Sequence, residues 1–166
     1  MILFLDTEFT DFIQCELISI SLVSEDGRHE FYGELTDFNL KLRSDFVREV
    51  VLPRLGKPLN ISGGQFDTAG LEMALRAWLE RLHDLDSSLL LLYADKTDFD
   101  LLADALDGEL PPWIEGHNIN GQIGNIGWAD GEYLNAHHAL WDARALRQGW
   151  IDTQQAGAFS KWRPLG

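Results

Sequence analysis

The chain has 166 residues, 45% of them hydrophobic, with six Trp and a formal net charge of −14. That length and apolar content predict one folded domain, residues 1–166, and exclude a disordered chain. The single cysteine, Cys15, excludes an intrachain disulfide framework and a Cys-based zinc site, and the acidic balance argues against long duplex DNA or an anionic membrane as partner.

The opening "MILFL" lacks a basic flank and meets Asp6 at once. No apolar stretch approaches the roughly 20 residues that span a bilayer, so a soluble cytoplasmic protein is expected. Residues 1–9 read as a strand. "ELISISLV" (16–23) alternates Ile18, Ile20 and Leu22 against Leu17, Ser19 and Ser21, the pattern of a second strand. "SEDGR" supplies an Asp-Gly turn, and "HEFYGEL" (29–35) returns as a third strand, which makes an antiparallel meander. "SDFVREVVLPRL" predicts a helix capped by Ser44 and stopped before Pro53.

Leu71, Leu75, Trp78, Leu79 and Leu82 recur at helical spacing, so residues 69–83 form a stronger helix. "SSLLLLYA" (87–94) is a buried strand, and "FDLLADAL" is helical. Residues 107–131, rich in Gly, Pro and Asn, read as loop with one short strand near 122–126. "HHALWDARALRQGW" is a helix with Ala139, Ala143, Leu146 and Trp150 on one side. Three antiparallel strands followed by alternating helices and strands predict an α/β fold, a mixed sheet with helices on its faces.

Two segments are locally basic. Lys41, Arg43, Arg48, Arg54 and Lys57 face only Asp45 and Glu49, and Arg144, Arg147, Lys161 and Arg163 face only Asp152. Either could grip phosphates or be an ordinary solvated face.

The acidic residues pose the sharper question. Side chains at i and i+2 of a strand share a face, so Asp6 and Glu8 project together just past Ile2 and Phe4. Two adjacent carboxylates raise one another's pKa, and a hard cation such as Mg²⁺ or Mn²⁺ removes the conflict. The bland alternative is a strand emerging into solvent. In "LLLLYADKTDFDLL", Asp95 and Asp98 suit a helix N-terminus as caps. Asp100 lies further in, between Phe99 and Leu101. In "HHALWDA", residues five apart on one helix sit about 140° apart. His137 and Asp142 therefore converge only if His137 lies in the lead-in loop. His138, four before Asp142, reads as a polar surface group.

Joined, these pieces resemble the DEDDh 3′–5′ exonucleases: "DTE" on the first strand, "FD" opening a mid-chain helix, and "HHALWD" near the C-terminus. "FLDTEF", "ELISISLVSEDG" and "HHALWDA" are most similar to small single-domain bacterial exoribonucleases of the RNase AS type. The resemblance implies a ribonuclease H-like fold. It also implies two divalent cations, Mg²⁺ or Mn²⁺, held by Asp6, Glu8, Asp100 and Asp142, with His137 as general base. "DFD" offers Asp98 as well as Asp100, and the aromatic before Asp100 favours Asp100. Related enzymes often carry His-Asn where Asp95 and Lys96 stand, which leaves Lys96 as a candidate substrate contact. Phe9, directly after Glu8, is a candidate to stack on the terminal base, or else packs in the core.

The expected activity is release of nucleoside 5′-monophosphates from the 3′ end of short or single-stranded RNA, since an acidic protein lacks the electrostatic grip for duplexes. Related enzymes are often homodimers, and the same state is expected here. A single-strand DNA 3′ exonuclease is the rival within the class. From another class, a non-catalytic DNA mimic or inhibitor would use the −14 charge against a basic partner. Against that rival, a mimic needs only exposed carboxylates.

Overall fold

The computed structural model describes residues 1–57, 60–123 and 136–157. Six strands form one mixed sheet: β1 (Ile2–Phe9), β2 (Leu17–Ser24), β3 (Glu30–Leu35), β4 (Ser62–Phe66), β5 (Leu89–Tyr93) and β6 (Ile114–Asn118). Their order across the sheet is β4-β3-β2-β1-β5-β6. β1, β2 and β3 pair antiparallel, as the short turns dictate, while β4, β5 and β6 each add in parallel. Gly27, at φ 70°, provides the left-handed residue that closes the β2–β3 turn. The architecture agrees with the α/β, ribonuclease H-like expectation.

Among the described residues three α-helices cover the sheet: α1 (Thr68–Leu85), α2 (Lys96–Ala105) and α3 (Ala139–Gln155). Asp67 caps α1, its Oδ1 accepting from the Gly70 N–H at 2.8 Å. On one sheet face Leu3, Leu5, Ile20, Leu22 and Phe31 pack against Leu71, Leu75, Trp78 and Leu79 of α1 and Leu101 and Leu102 of α2. On the other, Phe4 and Leu92 meet Leu146 and Trp150 of α3, and Val23 and Tyr32 meet Ala139, Leu140 and Ala143. Among the described residues no helix is long and apolar enough to cross a membrane.

The structure departs from expectation in four places. The alternation in β2 breaks at Ile18: Glu8 pairs with Ser19 but Phe9 with Leu17, a bulge that sends Ile18 to Val47 and Val51 while Leu17 joins Ile20 and Leu22. The helix expected to stop before Pro53 instead widens into a π turn, Val47–Val51, and runs on as a 3-10 turn, Leu52–Arg54. Pro53 sits in the first positions of that turn, where its missing N–H forfeits no bond. Ser44 does cap the segment, accepting from the Val47 N–H at 3.1 Å.

Two strands were illegible in sequence. β4 is "SGGQF", and β6, "IEGHN", lies in the stretch read as loop. Glycine weakens a strand on its own, so only docking beside β3 and β5 makes these segments extended. Gly116 shows what the docking requires: a Cβ there would lie 2.3 Å from the Phe99 ring, which stacks on Tyr93. Of the strand expected near 122–126, residues 122 and 123 lie in a turn and a bend, and 124–126 fall outside the described residues.

Candidate active site

Pairing between β1 and β5 ends at Phe4 and Leu92, so β1 continues alone on that side while β5 turns into α2. Asp6 and Glu8 occupy this overhang, on the face that carries Phe4, toward the N-terminus of α3. The crevice beyond the carboxyl ends of parallel strands is where open α/β sheets bind ligands. Here it is a cavity of about 490 Å³ lined by Asp6, Glu8, Asp98, His137 and Asp142, with Phe9, Phe12 and Phe46 also on its wall.

Four of the five acidic and basic residues expected at a site thus meet, and the fifth does not. Asp100 is exposed on α2, its carboxylate held by Lys96 Nζ at 2.5 and 2.6 Å. The Lys96 ammonium is committed to that partner, away from the cavity lining. Asp98 takes the place expected of Asp100. It is 4% exposed, with Oδ1 accepting from the Thr7 N–H at 3.2 Å and from Thr7 Oγ1 at 2.7 Å. Its Oδ2 accepts from the Asp95 N–H at 3.4 Å, which closes a capping box on α2. The physical reason is helical phase: residues two apart sit about 200° apart, so when one faces the sheet the other faces water. A signal for this was present, because Asp98 extends the buried stripe of Leu101 and Leu102 at i+3 and i+4.

Both histidines precede the helix. His137 is exposed in the lead-in loop, as the spacing required, with φ at 63°, a left-handed conformation uncommon for a non-glycine residue. Its ring meets Phe46 edge-on at 4.8 Å. Asp142 holds this loop: Oδ2 accepts from the His137 N–H at 2.9 Å and the His138 N–H at 3.3 Å. Its other oxygen, Oδ1, is buried and takes no N–H among the described residues, while the Glu8 carboxyl lies within hydrogen-bonding reach of the Asp142 side chain. His138 is not the surface group expected from its place in sequence. It is 3% exposed, caps α3 through Nδ1, which accepts from the Leu140 N–H at 3.3 Å, and stacks on Tyr32 with centroids 4.6 Å apart.

Crowding and burial govern the charges. Burial raises Asp6 well above the usual carboxylate range, with Asp98, Asp142 and Glu8 adding repulsion. Glu8 is pushed up to about 8, by burial first and then by Asp142. Burial lifts Asp98 and Asp142 to about 6 each; Thr7 opposes it at Asp98, and the His137 and His138 amides oppose it at Asp142. His137 is lowered, by burial and then by the Arg54 guanidinium, so its imidazole is neutral at pH 7. Glu8, His137 and Asp142 offer ligand atoms within 4.8 Å of one another. Carboxylates crowded together without a counter-charge, each with its hold on a proton strengthened, are a hard-oxygen donor set that suits a hard divalent cation.

In the sequence Arg54 is only one of several basic residues between Lys41 and Lys57. It stands close enough to act on Glu8, His137 and Asp142, and it donates to the Val50 carbonyl. The other basic segment has structural uses: Arg144 makes a two-pronged bond to Glu30 at 2.8 and 2.6 Å, and Arg147 donates to the Glu25 carbonyl at 2.8 Å. Lys161 and Arg163 lie outside the described residues. Phe9 lines the cavity and also packs on the core, with Phe12, which is 78% exposed, edge-on to it at 5.0 Å.

No family model matches the chain. Two Mycobacterium tuberculosis proteins, from strains CDC 1551 and H37Rv, each named a 3′-5′ exoribonuclease, are 48% identical to it over 56 residues. That stretch is 33% of this chain and 33% of each relative, so the chain covers about a third of the length of the relatives it matches. Over that third, the likeness supports kinship with the 3′-5′ exonucleases.

Proposed function

We propose that the chain is a metal-dependent 3′–5′ exoribonuclease of the DEDDh type, akin to RNase AS, that hydrolyses the 3′-terminal phosphodiester of short or single-stranded RNA and releases nucleoside 5′-monophosphates. The observation that carries the reading is four carboxylates, Asp6, Glu8, Asp98 and Asp142, crowded round one cavity, with ligand atoms of Glu8, His137 and Asp142 within 4.8 Å of one another. Carboxylates held this close and largely out of water repel one another unless a cation neutralises them. The partial likeness to proteins named 3′-5′ exoribonuclease supports the same reading.

In this proposal Asp6, Glu8, Asp98 and Asp142 hold the Mg²⁺ or Mn²⁺ ions, with Asp98 replacing Asp100. When bound, such a pair supplies the Lewis acidity and charge neutralisation for in-line displacement at phosphorus. The chain's own residues do the rest. His137, neutral at pH 7, accepts the proton of the attacking water at its free ring nitrogen. Asp142 keeps that imidazole in place through the two loop amides. Phe46 limits the ring's rotation from the side, and Phe9 offers a surface at the cavity wall for the terminal base.

Burial argues against the acidic-mimic alternative, since Glu8 is 8% and Asp98 4% exposed and neither is displayed to a partner. The test is to incubate matched 5′-labelled RNA and DNA oligomers with the protein, with Mn²⁺ or with chelator. Stepwise shortening of the 5′-labelled RNA from its 3′ end with Mn²⁺, and none with chelator, is expected. A protein that degrades only the DNA oligomer is a DNA exonuclease, and one that degrades neither is not a nuclease.

A further inference from the structure

Among the described residues, the exoribonuclease reading leaves one buried acid unused. Glu34, on β3, is 3% exposed and sits two strands from Glu8 in the same cross-strand row: Glu8 pairs with Ser19, and Ser19 with Glu34. Both of its oxygens are held by donors, as those of Asp98 are in the cavity. Tyr32 Oη donates to its Oε1 at 2.8 Å, the Gly56 N–H donates to both oxygens at 3.0 and 2.9 Å, and Gln65 Nε2 donates to Oε2 at 3.0 Å.

Those donors come from three separate parts of the chain, and two of them continue to the cavity. Gly56 ends the segment that begins at Ser44 and carries Phe46 and Arg54. Tyr32 stacks on His138, whose N–H, with that of His137, is held by Asp142. The two segments meet again on the cavity side, where Phe46 touches His137. A buried charge with several donors is a stiff junction, because each donor withdrawn strands charge in a low-dielectric interior.

We infer that Glu34 is a positioning residue that clamps the 44–57 segment to the His137–His138 loop, through Gly56 on one side and through Tyr32 and His138 on the other. It sets where the His137 imidazole stands relative to the carboxylates without touching substrate. The role rests on the proposed use of His137; the clamp itself does not.

The test uses the full chain, ¹⁵N-labelled, with two readouts: amide hydrogen exchange, and steady-state hydrolysis of an RNA oligomer with Mn²⁺. Glu34→Gln keeps the size but replaces one acceptor oxygen with a donor that faces the Gly56 N–H. Exchange of the Gly56, His137 and His138 amides should accelerate about tenfold, the worth of one hydrogen bond to a charged group, with α1 core amides such as Leu79 unchanged. In the same variant kcat should fall by about tenfold while KM holds, because position and not binding is lost. Tyr32→Phe retains the stack on His138 and should sit between wild type and Tyr32→Leu, which removes the stack.

Wild-type exchange at His137 with wild-type kcat in folded Glu34→Gln would overturn the clamp. So would equal acceleration of every core amide, which marks a general stability effect. Should Glu34→Gln fail to fold, Tyr32→Phe decides by the same two readouts. A wild-type protein with no nuclease activity defeats the proposed function alone, and exchange still judges the clamp.

Discussion

The two faces of the sheet are cut from the same strands. On the α1–α2 face, Leu3, Leu5, Ile20, Leu22 and Phe31 close against leucines and Trp78, and the buried carboxylate of Asp98 stands only at the edge of this face, on Thr7. On the α3 face the row that begins with Phe4 continues as Asp6 and Glu8, and their neighbours are Ser21, Ser19, Tyr32 and Glu34. The first face supplies the burial that drives folding. The second spends part of that stability to keep carboxylates out of water, at pKa values no exposed acid would have. Within the second face there is a further division. Glu34 has both oxygens held by donors, whereas Oδ1 of Asp142 takes no N–H among the described residues and its side chain faces the acidic Glu8. Satisfied charge stiffens a structure; unsatisfied charge waits for a ligand.

Each prediction tests that division, beginning with the largest effect. Asp142→Asn preserves shape and removes charge, and turnover should fall by orders of magnitude while the metal-free protein melts no lower than wild type. Near-normal hydrolysis of an RNA oligomer would remove Asp142 from the site. His137→Ala should lose roughly 10²- to 10⁴-fold in kcat, the worth of a positioned general base, with metal affinity retained by calorimetry. Its neighbour belongs to the structural side of the division. His138→Ala forfeits a helix cap and a ring stack, and should lower stability by about 0.5–2 kcal/mol in denaturant melts for the cap alone.

On the dry face, Leu75→Ala should cost about 2–5 kcal/mol and leave activity per folded molecule unchanged. Loss of activity beyond the unfolded fraction would show that the two faces are not independent.

The pH dependence separates them again. Glu8 near 8 and Asp98 and Asp142 near 6 lie above their unfolded values, so between these the native state binds more protons than the unfolded chain. Their contribution is fully present below about pH 4 and is lost as pH rises through 6 and then 8. Metal-free protein should therefore melt higher at pH 5 than at pH 8, and Mn²⁺ should narrow the gap by stabilising the native state at the upper pH. A metal-free melt that rises from pH 5 to pH 8 contradicts the raised values. Smallest of all, Asp100→Asn removes only an exposed pair with Lys96, worth about 0–1 kcal/mol, and should leave hydrolysis within a few-fold of wild type.

Periodicity alone determined much of this molecule. The meander β1–β3, the stripe of α1, the buried run of β5 and the helix after His138 follow from local spacing, because side-chain direction repeats every two residues in a strand and every 3.6 in a helix. Strand spacing put Asp6 and Glu8 on one face and helix spacing required His137 off the helix if it meets Asp142, but only the resemblance to the DEDDh exonucleases singled these residues out as a site. What the tertiary structure decided were features whose energetics are non-local. β4 and β6 are strands because β3 and β5 offer unpaired edges, against the preference of their glycines. Asp98 enters the cavity instead of Asp100 because α2 docks with its leucine stripe on the sheet and brings its first turn to Thr7. His138 is buried because Tyr32, 106 positions earlier in the chain, provides a flat partner for its ring. In each case the deciding contact joins residues far apart in sequence, and no local pattern encodes which distant surface a side chain will meet.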